Sequence, residues 1–139
     1  MFARAGKQEF WTAFGKYMSP VPGSDGEPAN WLNYRTGVKG ISFRLNATER
    51  HAVAMIEFGG DGATDNYRKF SALKAGFGDT VKGKWVWVPA DNTGNPMLFL
   101  EKNEVNVYRQ EDWPAIISFF KQTMLELDEF WSEVKAYFE

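Results

Sequence analysis

From Trp113 to Phe138 the residues Trp113, Ile116, Ile117, Phe120, Met124, Leu127, Trp131, Val134 and Phe138 recur at intervals of three, one, three, four, three, four, three and four. Only a helix, with a period of about 3.6, gathers residues so spaced onto one face. Asp112 and Pro114 suit its first turn. About 25 residues make a rod roughly 37 Å long, more than a small sheet needs. Phe119, Phe130 and Tyr137 widen the stripe. Packing across a sheet and onto an earlier helix is the first reading of that stripe, and a homodimer contact along part of the helix is the second. A chain of 139 residues is long enough to bury about two-thirds of its unfolded surface, and the expectation is a single domain over 1–139.

The rest of the chain supplies what this helix lies on. Phe10, Trp11, Phe14, Tyr17 and Met18 mark a first helix over Lys7–Met18, ended by Pro20 and Pro22 in the irregular stretch PVPGSDGEP. Ile41, Phe43 and Leu45 then alternate with Ser42, Arg44 and Asn46, and HAVAMIEF follows the NATER turn, so a β-hairpin is expected. A loop over Ala47–Arg50 would set Asn46 opposite His51 and place Ile41, Phe43 and Leu45 on one face with Ala52, Ala54 and Ile56. Arg44 and Glu57 share the reverse face with Val53 and Met55, an apolar setting that implies cover on that side too. WLNYRTG reads as a short strand or extended entry. Tyr67, Phe70, Leu73 and Phe77 predict one helix over Thr64–Phe77, capped by Thr64 or Asp65. KWVWVP reads as a strand, and MLFLEKNEVNVY as two short strands broken at Asn103, forming a second meander. The expected fold is α+β, with a central, mostly antiparallel sheet of five or six strands, an N-terminal helix, a middle helix and a long C-terminal helix.

Composition removes several chemistries. No cysteine is present, so disulfides, thiolate zinc sites and cysteine nucleophiles are excluded, and His51 is the sole histidine. A net charge of −2 argues against a surface built wholly for nucleic acid. The charge is divided, with −5 on residues 111–139 and +3 on the remainder, but the acids alternate with apolar residues as on a solvated helix face. No apolar run approaches the roughly 20 residues of a membrane span, and MFARAGKQEF lacks the apolar stretch of a secretory signal. The expectations are a cytoplasmic location and no membrane partner.

Three segments, FWTAFGKYMSPVPGSDGEPANWLNYRTGVKGISFR, AMIEF and EDWPAIISFFKQTMLELDEFWSEVKAYF, together resemble a bacterial family known as domain of unknown function 4268. The resemblance covers most of the chain, is strongest at its two ends and is weak between residues 60 and 104. It implies no particular reaction. It does imply a domain that accompanies nuclease-like domains in larger bacterial proteins, and hence a nucleic-acid or defence context by association.

Two constellations carry candidate chemistry. YRTGVKGISFR holds Arg35, Lys39 and Arg44 without an acid, among Trp31, Tyr34 and Phe43, and cations beside aromatics suit phosphates and stacked bases. The plainer reading is a sheet edge whose cations are solvated or paired with Glu57 and Glu27. TGVKG lacks the spacing of a phosphate loop. Separately, helix, strand, strand, strand, helix, strand is the element order of the restriction-endonuclease-like core, whose sites use an acid on one strand and acid-x-Lys on the next to hold Mg²⁺. Glu57 stands at the right place, but Gly59 follows two residues on and GISFRLN has no acid. Asp61 and Asp65 would have to add oxygen ligands, and Lys69 the cation. A structural Glu57 paired with Arg44 or Arg35 is the simpler assignment. Trp85 and Trp87 share a face and read as core rather than as a ligand platform, GGDGATD reads as a turn and helix cap, and His51 as exposed. The leading expectation is a non-enzymatic binding or interaction module using Trp31, Tyr34, Arg35, Lys39 and Arg44, without cofactor, for a nucleic-acid or protein partner. The alternative is a metal-dependent, degenerate nuclease-like domain on Glu57, Asp61 and Lys69, with Mg²⁺ under that reading alone.

Overall fold

The computed structural model describes residues 6–139. Apolar periodicity builds the first helix, α1 (Lys7–Met18), and alternation builds the hairpin of β1 (Ile41–Ala47) and β2 (His51–Phe58). Helices α2 (Ala63–Ala72) and α3 (Lys74–Thr80) follow, then β3 (Val86–Val88), β4 (Met97–Asn103) and the long helix α4 (Trp113–Val134), which ends in a 3₁₀ turn over Lys135–Phe138. The strands form one antiparallel sheet in the order β1-β2-β4-β3. The fold is therefore α+β, but with four strands among the described residues instead of five or six, and β3 and β4 extend the first hairpin instead of forming a separate meander.

The missing strands have local causes. WLNYRTG stays irregular because Thr36 is committed elsewhere: its hydroxyl donates to Ile41 O at 2.8 Å, and its carbonyl accepts the buried Trp131 indole N–H at 2.8 Å. Beyond Asn103 the chain turns at Glu104, whose φ is +62°, a value that breaks a ladder. Asn106 then directs the following loop, donating its N–H to Asp112 Oδ2 at 2.9 Å and accepting from Tyr108 N at 2.8 Å. Val105 and Val107 are buried there without any strand.

The hairpin register differs from the expected one by two residues. Ala47 pairs with Ala52, Leu45 with Ala54 and Phe43 with Ile56, because the loop is Thr48-Glu49-Arg50 and not Ala47–Arg50. The Thr48 hydroxyl accepts from Arg50 N at 3.1 Å and His51 N at 3.2 Å, which tightens the turn and draws Ala47 into the ladder. A shift of two leaves every side chain on its expected face. The single middle helix is two helices, broken at Leu73, whose N–H bonds Phe70 O in a tighter turn. The break keeps Phe70 and Phe77 in contact, ring centres 5.5 Å apart. Its N-cap is Gly62, not Thr64 or Asp65.

Helix α4 has 22 residues, and its stripe is spent inside the chain. Trp113, Ile116, Phe120, Met124, Leu127, Trp131 and Phe138 are buried, while Ile117 and Val134 are half-buried. One end packs Phe120 on Phe10, Trp11 and Phe14, and the other packs Trp131 on Phe43 and Phe130 on Phe77. Trp85 and Trp87 also join this core, edge-on to Phe77. Among the described residues no helix is long and apolar enough to cross a membrane.

All of this packing lies on one side of the sheet. The reverse side runs Arg44, Met55, Phe99, Val86 across one row and Ser42, Glu57, Met97, Val88 across the next. Of these rows' apolar residues none belongs to the core or packs against it, so the expected cover on this side is not seen among the described residues.

Candidate binding cleft

At the end of the uncovered face where β1 begins and β2 ends, a cleft of about 780 Å³ opens between the strands and the turns that flank them. Lys39, Ser42, Arg44, Glu57, Asp61 and Asn66 supply its polar wall, and Met97 its apolar one. Glycine shapes its base. Gly40 has φ +92°, and a Cβ there would stand 2.7 Å from Gly59 O. That close approach lets Gly40 O accept the Gly59 N–H at 2.7 Å, closing the mouth of the hairpin. Gly60, at φ +75°, turns the chain into α2.

The diagonal register brings Arg44 and Glu57 onto the reverse face, where Arg44 Nε lies 2.6 Å from Glu57 Oε1. Both side chains are well exposed, 64% and 43%, so screening by water keeps the pair's contribution below about 1 kcal/mol. Its consequence is chemical, since the Glu57 carboxylate is already engaged. At the other end of the face His51 Nδ1 sits 2.9 Å from Glu101 Oε2, and His51 is half-buried, not free in solvent.

The expected site residues are divided by the fold. Lys39 and Arg44 line the cleft. Arg35 is exposed on the preceding loop and does not line it. Trp31 is buried and donates its indole N–H to Val21 O at 2.8 Å, so it is unavailable for stacking on a ligand. Tyr34 lies on the core side, its ring stacked on Phe43 at 5.2 Å and its hydroxyl donating to Asp128 Oδ1 at 2.5 Å. Burial, then the Asp128 hydrogen bond and charge, raise the Tyr34 hydroxyl well above the usual phenol range. Asp61 joins Glu57 at the cleft, but Lys69 does not line it, and its ammonium stands over the Tyr137 ring at 5.6 Å. Among the described residues no group of three or more His, Cys, Asp or Glu could hold a metal ion. The donor set does not fit a Mg²⁺ centre, and no step through a metal follows from it.

Asp128 escaped the sequence reading. It is buried, accepts from Tyr34 and from Ser24 N at 2.6 Å, and so ties the 20–36 loop to α4. Its position, four after Met124 and three before Trp131, puts a carboxylate inside the apolar stripe, which is the signal that could have exposed it. The contribution of Asn95, Pro96 and Met97 to the cleft had no such signal, because only the β2–β4 pairing brings them to Glu57.

Residues 6–135 match the profile of a family described as Domain of unknown function (DUF4268). Comparison with curated proteins and with solved structures gave no match.

Proposed function

We propose that this chain, which belongs to the DUF4268 family, is a non-enzymatic binding module whose contact surface is the uncovered face of its sheet, with Lys39 and Arg44 at the cleft end. One observation carries the reading. In a sheet with one face in water the outward residues are normally polar, yet here the two central strands present Val53, Met55, Met97 and Phe99 outward. Val86 beside them is 46% exposed. At the cleft end of this face Arg44 is already paired with Glu57, so covering it there strands neither of these two ions.

Area selects the occupant. Three strand spacings across and about seven residues along give a face of roughly 14 Å by 24 Å, or roughly 340 Å². A footprint this narrow and long matches one secondary-structure element better than the broad surface of a second whole domain. One helix about 10 Å wide, laying two or three turns of apolar side chains across Met55 and Phe99, fits instead. The partner read from this surface is an amphipathic helix of another protein. A photo-reactive phenylalanine analogue at position 99 tests it in cells. The expected adduct joins the apolar face of a helical partner segment and disappears in the Met55→Glu chain. Adducts with a second copy of the chain, with nucleic acid or with no macromolecule would overturn the reading.

The nuclease-like reading has one observation in favour, that Glu57 and Asp61 line one cleft, while the element order, with two strands and not three between the first helix and the next, departs from the expected restriction-endonuclease-like one. Incubation with plasmid and single-stranded DNA in Mg²⁺ or Mn²⁺ decides it, and uncut substrate removes it.

A further inference from the structure

A second surface lies at the opposite edge of the sheet and does not depend on the uncovered face. Strand β4 outruns its neighbour: β3 pairs only with Met97–Phe99, while β4 continues to Asn103. The direction of the backbone groups there follows from the ladder. Phe58 N donates to Pro96 O, and Glu104 N donates to Arg50 O, both in the β2–β4 register. Backbone groups alternate sides along a strand, so even-numbered residues of β4 bond β2 and odd-numbered ones point outward. Met97 and Phe99 are met there by β3. Glu101 N–H and C=O also point outward, and among the described residues no strand pairs with them.

These groups open into a groove of about 640 Å³ between β4, the 82–84 loop and α4. Its apolar wall is Leu100 and Phe119, and Lys82, Lys84 and Lys102 line it. On the α4 side Glu126 keeps its charge while accepting the Lys82 backbone N–H and the Gln122 amide, and Lys82 Nζ donates to Asp79 O, so the three lysines of the lining exceed its two acids, Glu101 and Glu126, by one. Glu101 turns its carboxylate to His51 on the other face. The groove therefore combines open main-chain hydrogen-bonding groups, a strip of apolar contact and an excess of positive charge.

We propose that this groove binds an extended, acidic peptide segment, which adds to the β4 edge as a further strand and sets carboxylates among the lysines. Main-chain bonds to Glu101 supply affinity, and alternate side chains on Leu100 and Phe119 supply register. An edge this short accepts only a few residues, so the added strand is local and the lysines decide which sequences are held.

Selection of a random heptapeptide display library on the full chain tests this, with the enriched peptides then synthesised and titrated. The expected peptides carry net negative charge, and their titration shifts backbone amide signals at Lys84, Glu101 and Lys102. Glu101→Pro removes the outward donor without touching the β2 ladder and is expected to weaken binding about tenfold, the scale of one or two lost hydrogen bonds. Glu101→Ala keeps that donor and should bind within about twofold of wild type. The double variant Lys84→Glu, Lys102→Glu, at one exposed and one half-buried position, should reverse the charge preference, which keeps the test valid should the proline variant fail to fold. Enrichment of neutral or basic peptides, absence of any enriched sequence, or shifts confined to β1 or the uncovered face would overturn the proposal.

Discussion

Gly40→Ala and Gly60→Ala, made separately, divide the backbone cost of the cleft into two parts. Both glycines line the cleft at positive φ, +92° and +75°. Alanine in that region costs about 1–2 kcal/mol. A Cβ at Gly60 meets nothing within 4 Å, so this conformational cost is the whole expected effect there. At Gly40 the new methyl would stand 2.7 Å from Gly59 O, and the Gly40 carbonyl already bonds the Gly59 N–H at 2.7 Å. Residue 59 cannot retreat from the methyl and keep that bond. Losing the bond costs about 1 kcal/mol, and the residual angle strain about 1–2 kcal/mol more. The expected losses are then about 3–5 kcal/mol for Gly40→Ala and about 1–2 kcal/mol for Gly60→Ala. At roughly 3 °C per kcal/mol these become about 10–15 °C and about 3–6 °C in Tm. Urea unfolding followed by tryptophan fluorescence measures both, since the chain has six tryptophans. Equal losses in the two variants would refute the assignment of a backbone clash at the hairpin mouth.

Tyr34→Phe leaves Asp128 Oδ1 buried without its donor and should cost about 1–3 kcal/mol at neutral pH by chemical denaturation. Because the Tyr34 pKa is raised in the fold above its ordinary 10.0, its contribution is complete below pH 10 and declines as the pH rises further. Wild type should therefore lose stability above pH 10 more steeply than Tyr34→Phe; Tyr67, raised by burial, is common to both chains and cancels in the comparison. Phe120→Ala, at the junction of Phe10, Trp11 and Phe14, should cost about 3–5 kcal/mol, and a loss below about 1 kcal/mol would mean that α4 does not anchor α1. Arg44→Ala should change stability by less than about 1 kcal/mol, because its ion pair is exposed, so any larger effect on partner binding would report contact and not folding.

Periodicity in the chain was enough to define α1, the hairpin faces and α4, because each of these elements buries a face whose spacing repeats locally. The pairing of Arg44 with Glu57 was readable for the same reason, since a strand period of two conserves the face even when the register moves by two. Strand count was not readable: Val105 and Val107 look like a strand in the sequence, but side-chain caps at Asn106 and Asp112 take up the loop's backbone groups. The aromatic cations of YRTGVKGISFR looked contiguous and were separated, Trp31 and Tyr34 to the core side and Lys39 and Arg44 to the cleft, because Asp128 and Val21, distant or irregular in the chain, bond the two rings. Local sequence thus determined the residues of α1, the hairpin and α4 and the face each buries, since those depend on neighbours a few positions away. Which strand edge stays open and which distant residues join Arg44 and Glu57 in the cleft were decided by the β3–β4 and β2–β4 pairings, contacts between segments whose meeting no local pattern records.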